Sequence, residues 1–177
     1  MKKSILLTLF PFINFSSQLL RIKMVLILKN TYLFSIMTPL QKAKYLMDNR
    51  QYMPAITILN DLNGLSPNSE NYRLLFMANC WYKLEEYEWA VDIANRLLRK
   101  DEHNEFASQI KYLSYCQLKD FDNAFAEIIH FLSYNEANLY KVTLRELLTD
   151  IKNGFINEWE VISKIKVFAL KYDIHIE

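Results

Sequence analysis

An aromatic residue followed three positions later by alanine occurs three times in register along this chain: Tyr52 with Ala55, Tyr87 with Ala90, and Phe121 with Ala124. The steps between the pairs are 35 and 34 residues. The same offsets relate Leu62, Leu97 and Phe131, while Leu84 is matched by Leu118 on one side and by the polar Asn49 on the other. A period of this length marks a repeated supersecondary unit that cannot bury its apolar face alone, so successive units must stack. The alternative, a plain helical bundle, has no need to keep such a period.

The unit is clearest over residues 71–101. Leu74, Met77, Ala78 and Trp81 recur at i, i+3, i+4 and i+7, which places them on one helical face. Ala90, Val91, Ala94, Leu97 and Leu98 repeat that spacing. Leu84, Glu85, Glu86 and Tyr87 form a short joint between the two runs, and neither run contains Pro or Gly. Two short helices joined so briefly pack antiparallel.

A hairpin of this period, keyed by an aromatic and then an alanine, resembles the tetratricopeptide (TPR) repeat. Pro67 is similar to that family's end-of-repeat proline. The small residue that the family places midway along the first helix is Ala43 and Ala78 in the first two units, whereas Tyr112 stands there in the third. Glu102 and Glu136 replace the closing proline in units two and three. The resemblance covers residues 38–136. It implies an all-α fold, a TPR-like right-handed helical-hairpin solenoid (α-α superhelix), with units over 38–68, 69–103 and 104–136 and a degenerate capping hairpin over 137–172.

Local signals place the helix ends. Thr38, Pro39 and Gln41 offer a hydroxyl cap, a proline at the first helical position and a reciprocal side chain. The second helix of the first unit is expected from Pro54 to Leu62, that of the third over 122–133. Gly64 is able to take the left-handed conformation after a helix end, and Asn153 with Gly154 closes the helix that precedes the last one. Residues 157–160 read as a capping box opening a last helix that runs to Lys171.

Composition narrows the function classes. Hydrophobic residues make up 51% of the 177 and charged residues 23%, which fits a folded domain rather than a disordered chain. Lys and Arg number 21 against 20 Asp and Glu, so the basic excess expected of a nucleic-acid binder is missing. The two cysteines, Cys80 and Cys116, fall inside first helices, where free thiols acting as small packed residues are expected rather than a disulfide. His103, His130 and His175 have no partner at metal-ligand spacing. Glu85 with Glu86, and Glu158 with Glu160, sit where turns and helix starts belong. No enzyme signature, cofactor motif or metal motif is present.

Residues 1–37 differ from the rest. Lys2 and Lys3 precede the apolar run 5–13, as in a secretory signal, yet no small-x-small cleavage pattern follows. A second apolar run, 24–36, contains Lys29, and neither run has the uninterrupted 18 or so residues of a spanning helix. Three readings stand: a signal or anchor, an apolar helix packing on the first unit, or a stretch outside the working protein, with translation starting at Met24 or Met37.

The family resemblance implies a concave groove lined by first helices, where an extended or helical peptide binds. Carried onto this sequence, the groove set is Lys44 and Met47 in unit one, with Asp48 beside them. Unit two supplies Tyr72, Leu75, Asn79, Tyr82 and Lys83, and unit three supplies Phe106, Gln109, Ile110, Leu113 and Gln117. Lys44 and Asn79 could join a clamp for a C-terminal carboxylate, but the third unit offers Phe106 and Ile110 where that clamp needs cations. The expectation is a non-catalytic, intracellular (cytoplasmic) adaptor for a protein or peptide partner, with no nucleic acid. Membrane association enters only through residues 4–36. The other reading is an exported or membrane-tethered module that uses residues 4–20 as signal or anchor.

Overall fold

The computed structural model describes residues 22–25, 32 and 34–175. From Pro39 to Lys171 it is built of eight helices joined by short connections: α1 (Pro39–Asp48), α2 (Tyr52–Asn60), α3 (Pro67–Lys83), α4 (Tyr87–Leu98), α5 (Glu105–Gln117), α6 (Phe121–Tyr134), α7 (Tyr140–Lys152) and α8 (Trp159–Lys171). Each of α1 to α5 packs on the next, α7 packs on α8, and the first helices α1, α3 and α5 also lie side by side. The arrangement is a helical, repeat-like stack.

Every hairpin turns in the same way. Arg50, Glu85, Lys119 and Gly154, at steps of 35, 34 and 35 residues, all take a left-handed backbone with φ of 58°, 65°, 60° and 76°. At each turn the next amide reaches back five residues: Gln51 to Leu46, Glu86 to Trp81, Asp120 to Tyr115 and Phe155 to Asp150, at 2.8–3.0 Å. The left-handed residue's own amide reaches back three, as from Arg50 to Met47. This pair of bonds is the Schellman closure, which satisfies the last carbonyls of the outgoing helix. Three of the four positions carry a side chain in a conformation that suits glycine, at a cost of about 1 kcal/mol each.

The repeating alanines set how closely the helices approach. Ala43, Ala55, Ala78, Ala90 and Ala124 are all fully buried, and the missing bulk lets backbones come together. Where unit three has Tyr112 instead, the ring (7% exposed) turns onto Tyr140 at the start of α7, with centroids 6.1 Å apart. Tyr140 also meets Phe131, at 5.5 Å. The fourth hairpin therefore does not repeat the close pairing of first helices; instead α8 rests on α6.

Polar bonds fix that last hairpin. Glu105, in the first turn of α5, accepts the amides of Asn138 (2.8 Å) and Tyr140 (2.9 Å), capping α7, whose N-cap Leu139 has no side chain to do so. The Ala137 amide donates to the Tyr172 hydroxyl at 3.0 Å. Inside, Ser108 donates to Glu127 (2.6 Å) and shares a bond with the Tyr140 hydroxyl (2.9 Å), while Lys111 pairs with the second Glu127 oxygen at 2.7 Å. Low dielectric strengthens such a network as long as every member is satisfied. Burial also holds the Tyr140 hydroxyl well above the usual phenol range, so it stays protonated.

Several local expectations need correction. Pro67 opens α3 as its first residue, capped by Ser66, because its missing N–H costs nothing there. The second helix of unit one begins at Tyr52 rather than Pro54. Residues 157–160 form no capping box: the N-cap of α8 is Glu158, with no side-chain bond to the helix. At Thr38 the box does form, with Gln41 N–H to Thr38 Oγ1 at 3.3 Å and Thr38 N–H to Gln41 Oε1 at 2.8 Å.

The signal-like run 5–13 and residues 4–20 lie outside the described residues. Of the N-terminal segment, Phe34 packs edge-on against Tyr45 of α1 (5.6 Å), with the Lys42 ammonium over its ring. Among the described residues no helix is long and apolar enough to cross a membrane.

Candidate functional site

Helix α3 shows two stripes. The stripe of Leu74, Met77 and Ala78 is buried in the hairpin seam, which leaves the neighbouring stripe of α3 facing out between its flanking first helices. Leu75, Phe76, Asn79, Tyr82 and Lys83 of α3 line a groove with Lys44, Met47 and Asp48 of α1 and Phe106, Gln109, Ile110 and Leu113 of α5. The groove holds about 410 Å³. Leu75, Phe76, Ile110 and Leu113 are half-buried by the core beneath, and Phe106 stands 57% exposed at the edge. Polar groups sit among them: the amides of Asn79 and Gln109, the Tyr82 hydroxyl and two ammonium groups.

Ten of the twelve positions expected from the sequence converge here. Tyr72 does not line the groove; it is 59% exposed one turn before Phe76, whose ring lies 6.1 Å from its own. Gln117, the exposed last residue of α5, does not line it either. Phe76 is the lining residue the spacing argument passed over. The stripe Phe76, Asn79 and Lys83 contains it at i, i+3 and i+7, so the signal was there.

The charges are exposed. Lys44 pairs with Asp48 at 2.8 Å, both side chains about 60% exposed, so the pair is weak and open to exchange. Lys83 lies over the Tyr82 ring at 5.5 Å. Burial raises the Tyr82 hydroxyl above its ordinary value, helped by Tyr87 and Cys116 and partly offset by Gln117. No cation of α5 reaches the groove, because Lys111 turns the other way onto Glu127. The carboxylate clamp considered for Lys44 and Asn79 thus lacks its third basic member.

Cys80 and Cys116 are both free thiols. Burial pushes Cys80 up to about 12 and raises Cys116 as well, the opposite of an activated nucleophile. The imidazoles are occupied with neighbours: His103 with Asn135, His130 against the Tyr134 ring, and His175 on Asp173. Among the described residues no three His, Cys, Asp or Glu side chains converge as a metal site would require.

Compared with known proteins, the chain matches no family model, no curated sequence and no solved structure.

Proposed function

We propose that the chain is a TPR-like right-handed helical-hairpin solenoid of three repeats and a capping hairpin, acting as a non-catalytic adaptor. Its groove takes a peptide or helix of a protein partner, and the protein works as part of a larger intracellular complex. The observation that carries this reading is the groove itself: side chains from three successive first helices, with an apolar floor and polar groups at intervals. Aromatic and aliphatic anchors in such a setting are the usual content of a peptide-binding groove. The repeated Schellman turns support the repeat assignment, since they keep the 34–35-residue step through the fourth hairpin, where the alanine key is replaced by Glu158.

The partner segment is apolar or amphipathic, because the floor offers Leu75, Phe76, Ile110 and Leu113 and α5 adds no cation. The expected result is that Tyr82→Ala combined with Ile110→Asp weakens capture of the partner at least about a hundredfold, as loss of two central anchors does. Circular dichroism should report unchanged helicity. Undiminished capture by a folded double variant would remove the groove as the binding site.

A further inference from the structure

A second concavity lies at the turn end of hairpins three and four. Its walls are aromatic: Tyr112 of α5, Phe121 and Phe125 of α6, and Phe155 from the α7–α8 joint. Cys116, Leu147 and Ile156 fill in between the rings, Asp150 and Glu158 complete it, and no Lys, Arg or His lines it. Its volume is about 280 Å³, just below the range of about 300–1,000 Å³ of drug-sized sites. Such a space fits one side chain or one head group.

Phe121 is 53% exposed and Phe155 is 75% exposed, large apolar faces left open to solvent beside two carboxylates. Neither carboxylate has a hydrogen bond or an ion pair to a described residue. The Tyr112 hydroxyl is raised far above its ordinary value, first by burial and then by Cys116, with Glu146 and Asp150 adding a smaller negative field in the same direction. An anion would meet that field unfavourably. A bare divalent metal would want many more oxygen ligands than two carboxylates supply.

We propose that this pocket binds an alkylammonium group, the cation seated among the Phe121, Phe125, Phe155 and Tyr112 rings with Asp150 and Glu158 at its rim. Aromatic faces attract such cations through their quadrupoles, and the methyl groups of a quaternary nitrogen spread the charge over a surface that desolvates readily. The cation comes either on a methylated lysine side chain or on a small choline-like molecule. The site is independent of the groove: its walls and those of the groove share no residue.

The test titrates the full chain with choline and with its neutral isostere 3,3-dimethylbutan-1-ol, following backbone amides by NMR. Choline should shift Phe121, Phe155 and Ile156 saturably, and the isostere should bind at least about five- to tenfold more weakly. Asp150→Asn with Glu158→Gln should weaken choline about tenfold, and Phe155→Ala, at an exposed position, should do the same without disturbing the remaining spectrum. A trimethyllysine peptide that outcompetes choline identifies a protein side chain as the source; the reverse order identifies the free small molecule. Equal binding of choline and the neutral isostere, or no saturable shift at these amides, overturns the proposal.

Discussion

Replacing Tyr140 with alanine is expected to lower stability by about 3–5 kcal/mol, the range for deleting a large buried aromatic. The residue is fully buried, and three kinds of contact end on it. Its ring fills the space between Tyr112 and Phe131, its hydroxyl shares a bond with Ser108, and its amide sits on Glu105. The first two are lost with the side chain. Because stability in a repeat array is nearly a sum of units and interfaces, the loss should concentrate in the last hairpin. Hydrogen exchange of α7 and α8 should then accelerate well before that of α3 and α4. Tyr140→Phe, which keeps the ring, should cost only about 1 kcal/mol. Equal exchange rates in all four hairpins of the alanine variant would contradict this view of Tyr140 as the pin of the capping hairpin.

Lys111→Met is expected to be nearly as damaging, at about 3–5 kcal/mol, because it strands a buried charge. Glu127 is only 6% exposed and its two oxygens are divided between Ser108 and Lys111. Removing the ammonium leaves the carboxylate with one hydroxyl donor. A double variant, Lys111→Met with Glu127→Leu, should recover most of the loss, since an apolar replacement of a buried pair is often neutral or better. Chemical denaturation of the two variants reads the difference directly. A single variant as stable as the native chain would mean that water reaches Glu127 and that the pair is not a buried network.

The larger features of the fold could be read in the sequence because they rest on volume and periodicity. Alanine at positions 55, 90 and 124 marks where helices touch, and those three side chains are completely buried. The stripes that line the groove follow from helical spacing alone. Other features depend on contacts that no local pattern announces. Arg50, Glu85 and Lys119 are not residues that advertise a left-handed turn, and only the geometry of the hairpin makes them adopt one. The capping of α7 by Glu105 spans 33 to 35 residues. Residues 157–160 have the spacing of a capping box, yet the chain arrives at α8 with its first turn uncapped by any side chain. Glu127 was readable in part, for it interrupts the apolar stripe of Ala124, Ile128 and Phe131. A charge in such a place calls for a buried partner. Which residue supplies it depends on the fold.

The central claim is that a partner segment occupies the groove formed by α1, α3 and α5. Site-specific photo-crosslinking of the full chain in its source cells tests it most directly. A photoreactive residue would be placed in turn at Asn79, at Gln109 and at the solvent-exposed Asp92 of α4. The account predicts one shared protein adduct from positions 79 and 109 and none from 92. Adducts from position 92 alone would move the interaction to the opposite face and contradict the account, as would their complete absence from both groove positions in a folded, expressed protein.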